Sequence, residues 1–265
     1  METKAIITQA LLKEFWNTET KNSTTSNVFE PFAQQQTTVH SRTKNKATIQ
    51  VPLNRNHCKE VEEICNDSAI LIFNFYATAL SILLNKYFYV NDIAFISPCI
   101  QFQDTDSDKE LFLFTSSIDK DNSFKNIFSS NKKTLADALN NSATYQHISE
   151  YIDPQKLQTF QAYTLTLNNS AYTIDEHQPK ILFSINTFAD NYYLSITFSD
   201  DQYHKKNLEF FGYNFNKLLE EILQHKYDPV KNLNCISLHE ESFFKAFNKV
   251  APYFSLDTNI IEHIE

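Results

Sequence analysis

One glycine, Gly212, serves a chain of 265 residues. Glycine is the residue that reaches positive φ without strain and lets a backbone come close to a ligand, and ordinary usage of about 7% would supply many. A phosphate-binding loop, a dinucleotide fingerprint and a nucleophile elbow all depend on glycines at set positions. None can be written here, so these devices are excluded as carriers of function. Lysine is strongly preferred over arginine, with Arg42 and Arg55 the two arginines, and the net charge is −9. Nucleic-acid binding needs clustered cations to displace counterions, so that partner is set aside too.

A chain this poor in glycine still has material for a core: 42% of residues are hydrophobic, and Phe 23 and Tyr 13 supply large side chains. The periodicity predicts an amphipathic helix over Ile6–Trp16 that docks on something, then a polar connector over Asn17–Lys46. A strand at Thr48–Val51 is stopped by Pro52, and a helix over Asn54–Cys65 keeps Val61, Ile64 and Cys65 on one side. Ser68 caps a helix, Ala69–Tyr87, that is apolar nearly all round and therefore buried. Short strands are expected at Ile93–Ile96 and Leu111–Ile118, separated by an acidic loop, Gln101–Lys109. Ser123–Phe128 and Thr134–Leu139 read as two helices. Phe160–Leu167, Lys180–Phe188 and Tyr192–Ser199 alternate as strands do, the last two forming a hairpin turned by Ala189, Asp190 and Asn191. Leu194, Ile196 and Phe198 belong to one face, Tyr193, Ser195 and Thr197 to the other. Asp200 and Asp201 are expected to cap a long helix whose stripe is Leu208, Phe211, Phe215, Leu218 and Ile222. A short helix surrounds Phe243, Phe244 and Phe247. Helices and strands alternate throughout, so the class is α/β with a mixed sheet and packed helices.

Candidate chemistry is sparse. His40, His57, His147, His177, His204, His225, His239 and His263 are scattered, and no pair has the i, i+4 spacing of a metal-binding helix face. Cys58, Cys65, Cys99 and Cys235 lack a CxxC spacing and read as reduced thiols of a cytoplasmic protein. His57 and Cys58 are adjacent, so on a helix they point in different directions and do not form a nucleophile and base pair. Asp104, Asp106 and Asp108 imitate the start of a calcium loop, but Lys109 takes the glycine position and Thr115 the glutamate position. Glu62 with Glu63 and Glu220 with Glu221 read as solvated carboxylates. No secretory leader and no uninterrupted apolar run long enough to cross a bilayer are apparent. No catalytic, cofactor-binding or metal-binding residue, and no cofactor, is therefore assigned.

Several stretches, in order, resemble the C-terminal lobe of a nonribosomal peptide synthetase condensation domain. LSILLNKYFYVNDIAFISPCI at Leu80–Ile100 is similar to the family's helix, Asp-containing turn and buried strand. ELFLFT at Glu110–Thr115 stands where the family has a Gly-Phe-Phe-Val-Asn strand, and SFKNIF at Ser123–Phe128 resembles the helix after it. LSITFSDDQY at Leu194–Tyr203 is similar to the junction before the long terminal helix. ISLHEESFFKAFN at Ile236–Asn248 looks like the Leu-Ser-x-x-Glu segment that closes the domain, and APYFSLDTNIIEHIE at Ala251–Glu265 is similar to the linker towards an adenylation domain.

The resemblance implies a single lobe of a chloramphenicol-acetyltransferase-like fold, in which two lobes form a V and react substrates between them. It implies three regions: residues 1–46, an N-terminal helix and connector; 47–250, the lobe; 251–265, the linker. The family's His-His-x-x-x-Asp-Gly signature belongs to the other lobe and is absent. Glu110 replaces a glycine, Phe114 an asparagine, Asp119 falls near the usual arginine, and the Pro-Phe-Glu motif expected near His147 is missing. The expectation is a truncated scaffold lobe that is not an enzyme by itself, partnered by an adenylation domain and a carrier domain. Two alternatives are completion in trans by a separate N-terminal lobe, and self-association through the face a lost lobe would uncover.

Overall fold

The computed structural model describes residues 2–22, 28–33, 46–99, 110–168 and 179–247, with the backbone alone for 2–8 and 22. Among the described residues, seven strands form two sheets. The longer has four strands in the order β1 (Lys46–Leu53), β7 (Asn191–Ser199), β6 (Ile181–Phe188), β5 (Tyr163–Leu167). The shorter has three, β2 (Asp92–Pro98), β3 (Glu110–Ser117) and β4 (Ala143–Thr144). All pairings are antiparallel except β5 with β6, so the sheet is mixed, as expected.

The sheets meet at β5 and β2 through side chains. Thr164 Oγ1 donates to the Ile96 carbonyl and Ser97 Oγ to the Leu165 carbonyl, both at 2.5 Å and both buried. These hydroxyls take the place of ladder bonds, satisfying carbonyls that would otherwise be buried without a donor.

Helix α7 (Lys205–Gln224) packs on the longer sheet along the expected stripe, with Leu208, Phe211, Phe215, Leu218 and Ile222 all buried. Gly212 lies in that stripe. A Cβ there would stand 2.7 Å from Val51 Cγ2 and 3.2 Å from Ile196 Cδ1, so the glycine is what allows the helix backbone this close to β1 and β7. Elsewhere the chain bends without glycine: Asn66, Asp67, Tyr89, Asn168, Ala189 and Asp190 all have positive φ. Ala189 and Asp190 alone make the hairpin turn, since β7 already starts at Asn191.

Helix α3 (Ala69–Phe88) is capped by Ser68 and packs between α4 (Phe124–Asn140), α7 and the sheets. Its 20 residues are long and apolar enough to cross a membrane, against the sequence expectation, yet 67% of its most apolar window is buried inside the protein. A core helix surrounded by other elements passes the same test as a membrane span.

Other expectations are corrected. Helix α1 runs Glu2–Asn22, so Asn17–Asn22 is helical rather than connector, and Val28 and Phe29 sit in the main core. The rest of the connector, 23–27 and 34–45, lies outside the described residues, as does the loop 100–109. The two helices expected at Ser123–Phe128 and Thr134–Leu139 are one, α4. Its buried stripe is Phe124, Ile127, Asn131, Leu135 and Ala138, and the asparagine hid the period. Asn131 Nδ2 donates to Thr78 Oγ1 and Ser116 Oγ, both at 2.9 Å, which satisfies a polar group at a core position. Residues Pro154–Phe160 form a short helix, α6, with Asp153 accepting from Gln155 and Lys156 at its start; α5 (Tyr145–Tyr151) precedes it. Asp200 and Asp201 do not cap α7, whose N-cap is His204, and Asp201 instead accepts from Ser199 Oγ at 2.7 Å.

Candidate functional site

The register gives the longer sheet two unlike faces. Residues directly opposite in neighbouring strands share a face. One face carries Val51, Leu194, Ile196, Phe183, Ile185 and Leu165, all buried. The other carries Gln50, Ser195, Ser184 and Thr166 in one row across the four strands. Thr166 Oγ1 and Ser184 Oγ are 2.8 Å apart, Ser184 Oγ donates to Asn186 Oδ1 at 3.2 Å, and Asn186 Nδ2 donates to Ser195 Oγ at 2.9 Å. A parallel rung pairs Thr48 with Thr197 at 3.0 Å. The row is buried at its β5 end and open at β1, where Gln50 and Thr48 are exposed. Hydroxyls and amides in such a chain orient ligands or other backbones by hydrogen bonds. None of the row's members titrates near neutral pH, so the row itself holds no general base.

At the other side of α7, helix α8 (Leu238–Phe247) is held by a polar clamp. Ser237 N donates to Asn214 Oδ1 at 2.9 Å, and Asn214 Nδ2 donates to Glu240 Oε2 and Tyr87 Oη, both at 2.5 Å. Ser237 Oγ accepts from Glu240 N, so the Ser-x-x-Glu spacing acts at the helix start while its glutamate side chain turns to α7. Burial first, then the Glu240 charge, raise the Tyr87 phenol well above its ordinary value and keep it a neutral partner. Phe243 packs on Phe210 and lies beneath Lys206 Nζ at 3.5 Å from the ring centroid. Leu238, Phe244 and Phe247 are exposed, and no residue of α8 is buried.

The sequence candidates fall as follows. Cys58 hydrogen-bonds Tyr76; burial pushes its thiol up to about 11, so it remains a thiol at neutral pH and is no nucleophile. His57 Nδ1, next along α2 (Arg55–Ile64), is buried without a hydrogen-bond partner among the described residues. Glu62 is not simply solvated, since Tyr192 Oη donates to its carboxylate at 2.9 Å, and burial plus that bond push the tyrosine up to about 12. Glu220 and Glu221 both pair with Lys217. His147 stacks on Tyr151, His239 on Tyr213, and His225 pairs with Asp228. Glu110 opens β3 and accepts from Ser142 Oγ, while Phe114 is buried against Phe73 and Phe95. Cys65 is free and buried, and Cys99 and Cys235 are free and half-buried. His40, His177, His263 and Asp104, Asp106 and Asp108 lie outside the described residues. Among the described residues, no three of His, Cys, Asp and Glu gather closely enough to hold a metal ion.

The fold has solved counterparts. Over 87% of the chain it matches 20% of holo-AB3403, a four-domain nonribosomal peptide synthetase bound to AMP and glycine, with a TM-score of 0.67 and 11% identity. Over 85% it matches 55% of the starter condensation domain of rhizomide synthetase RzmA, with a TM-score of 0.66 and 10% identity. The fold is that of one lobe of a condensation domain. The X-domain from teicoplanin biosynthesis agrees, at a TM-score of 0.63 and 13% identity over 85% of this chain and 57% of that one. The chain thus spans little more than half the length of these single-domain counterparts. No protein-family model and no curated protein matches its sequence.

The hydroxyl row was half visible in the sequence, where Ser195 and Thr197 alternate with apolar residues. Its partners Thr166 and Ser184 could not be joined to it, because strand register is set by packing rather than by local pattern. The α8 clamp depends on Asn214, a polar residue inside an apolar helix stripe, and that irregularity was its one signal.

Proposed function

We propose that this chain is a condensation lobe without catalytic chemistry of its own, serving in a nonribosomal peptide synthetase as a platform for an adjoining adenylation domain and a carrier domain. The length of the match carries the reading: 85% of the chain accounts for 55% of a condensation domain. Acyl transfer between two lobes needs a base facing the attacking amine, and the second face of the long sheet, buried at β5 and open at β1, holds hydroxyls and amides instead. The motif order from Leu80 to Asn248 is that of the C-terminal lobe, and Ala251–Glu265 resembles the linker that leads to an adenylation domain. The exposed aromatic end of α8 lies just before that linker, and contiguous apolar surface of this kind favours a partner. In this reading the adenylation domain covers Phe244 and Phe247.

The test is made in the longer synthetase. Deleting residues 1–250, or introducing Phe244→Glu with Phe247→Glu, is expected to lower the melting temperature of the adenylation domain and slow amino-acid activation. An adenylation domain indifferent to both changes would overturn the proposal. A second reading, completion in trans by a separate N-terminal lobe, draws support from the hydroxyl row kept on an otherwise apolar sheet. Amide formation on mixing the two lobes, with none from either alone, would favour it over the platform.

A further inference from the structure

A cavity of about 240 Å³ opens between α3, the start of α4 and the end of α7, away from the hydroxyl row and from α8. Its walls are Phe75, Phe124, Phe128 and Leu223. The aromatic walls are mutually braced: Phe124 stacks on Phe128, and Phe75 touches both rings. Such a floor repels water and suits an apolar guest, with aromatic edges and faces available for contact.

The mouth has the opposite character. Lys125 and Lys226 stand on either side of it with Tyr227 between them, their ammonium groups 5.0 and 5.8 Å from its ring centroid. They are fixed as neighbours because Lys125 N donates to the Lys226 carbonyl at 3.1 Å. Three lysines of this acidic chain have carboxylate partners among the described residues: Lys217 with Glu220 and Glu221, Lys231 with Asp121, Lys245 with Glu241. Neither Lys125 nor Lys226 has a carboxylate within 4.0 Å among the described residues, and the nearby Asp228 is taken by His225. Two uncompensated cations over an apolar hole form a site complementary to one kind of molecule, an apolar body ending in an anion.

We propose that this cavity binds a small amphipathic carboxylate, an arylalkyl or alkyl acid, with its hydrocarbon among Phe75, Phe124 and Phe128 and its carboxylate between Lys125 and Lys226. The volume admits roughly eight water-sized groups, hence about that many carbon atoms. The site is independent of the platform role, since it lies on a different face from α8.

The experiment titrates the purified chain with 4-phenylbutyrate, 4-phenylbutylamine and 4-phenylbutanol, followed by calorimetry and by amide chemical shifts. The acid is expected to saturate one site and shift the amides of Lys125, Phe128 and Tyr227. The amine should bind at least tenfold more weakly than the acid. Lys125→Gln with Lys226→Gln should cost the acid at least tenfold while changing the alcohol less than twofold. Ser129→Trp, at an exposed lining position, should abolish binding of both while leaving the melting temperature unchanged. Equal affinity for acid and amine, shifts confined to another surface, or no saturation would overturn the proposal. So would a dimer that the acid dissociates, because the groove would then be covered by a second copy of the chain.

Discussion

The two sheets solve the same problem differently. The short sheet is apolar on both faces. Phe95, Phe112 and Phe114 meet α3 in the main core, while Ala94, Ile96, Leu111 and Leu113 join a second core with Trp16, Ile148, Tyr151 and Phe160. The long sheet commits one face to α7 and keeps Thr166, Ser184, Asn186 and Ser195 on the other. A sheet covered by helices on both sides reads as a continuous apolar run, and one with a specialised face alternates. The lesson is that the short sheet is closed on both faces by apolar packing, whereas the second face of the long sheet is closed by hydroxyl and amide bonds that open only towards β1.

That division breaks most visibly at Trp16. The side chain is fully buried and its Nε1 donates to the Asn141 carbonyl at 3.0 Å, tying α1 to the outer core of the short sheet. Trp16→Ala is expected to cost about 3–5 kcal/mol in denaturant unfolding. A cost below about 1 kcal/mol would mean that α1 is an ornament to the short sheet rather than its cover. Next comes Gly212→Ala, which brings a methyl within 2.7 Å of Val51 Cγ2. The stiff valine cannot turn away freely, so overpacking of about 1–3 kcal/mol should outweigh the gain in helix propensity. The melting temperature should therefore fall, whereas an exposed helical glycine replaced by alanine would raise it.

The seam comes third. Thr164→Val removes the donor from the Ile96 carbonyl while keeping the side chain's shape, leaving a buried acceptor bare at about 1–2 kcal/mol. Hydrogen exchange should quicken in β2 and β5 before it does in β6 and β7. Smallest is Ser195→Ala in the hydroxyl row, where Asn186 keeps other bonding and one side is half-open. A loss of about 0.5–1 kcal/mol is expected by the same unfolding measurement. Should Ser195→Ala cost more than Trp16→Ala, the contrast between the two sheets would be reversed.

Much of this was legible because hydrophobic period and burial coincide. The α7 stripe, the capped α3 and the β6–β7 hairpin all follow from runs in which one face is apolar. The failures share a cause. Asn131 in α4 and Asn214 in α7 are polar residues turned inward, satisfied by partners distant in sequence, and local pattern cannot see such partners. Asp201 failed as a cap for a related reason: it bonds Ser199 in the turn before α7, a short-range alternative always open to aspartate. The α8 clamp and the hydroxyl row belong to the same class of features. They exist only once tertiary structure brings strands and helices together.

The left-handed bends at Tyr89 and Ala189 mark where the lobe can be hardened. Each holds an L-residue where a side chain crowds the backbone, at a cost on the order of 1 kcal/mol. That strain is an untapped reserve of thermal tolerance, available to a lineage or an engineer by the plain expedient of a second glycine.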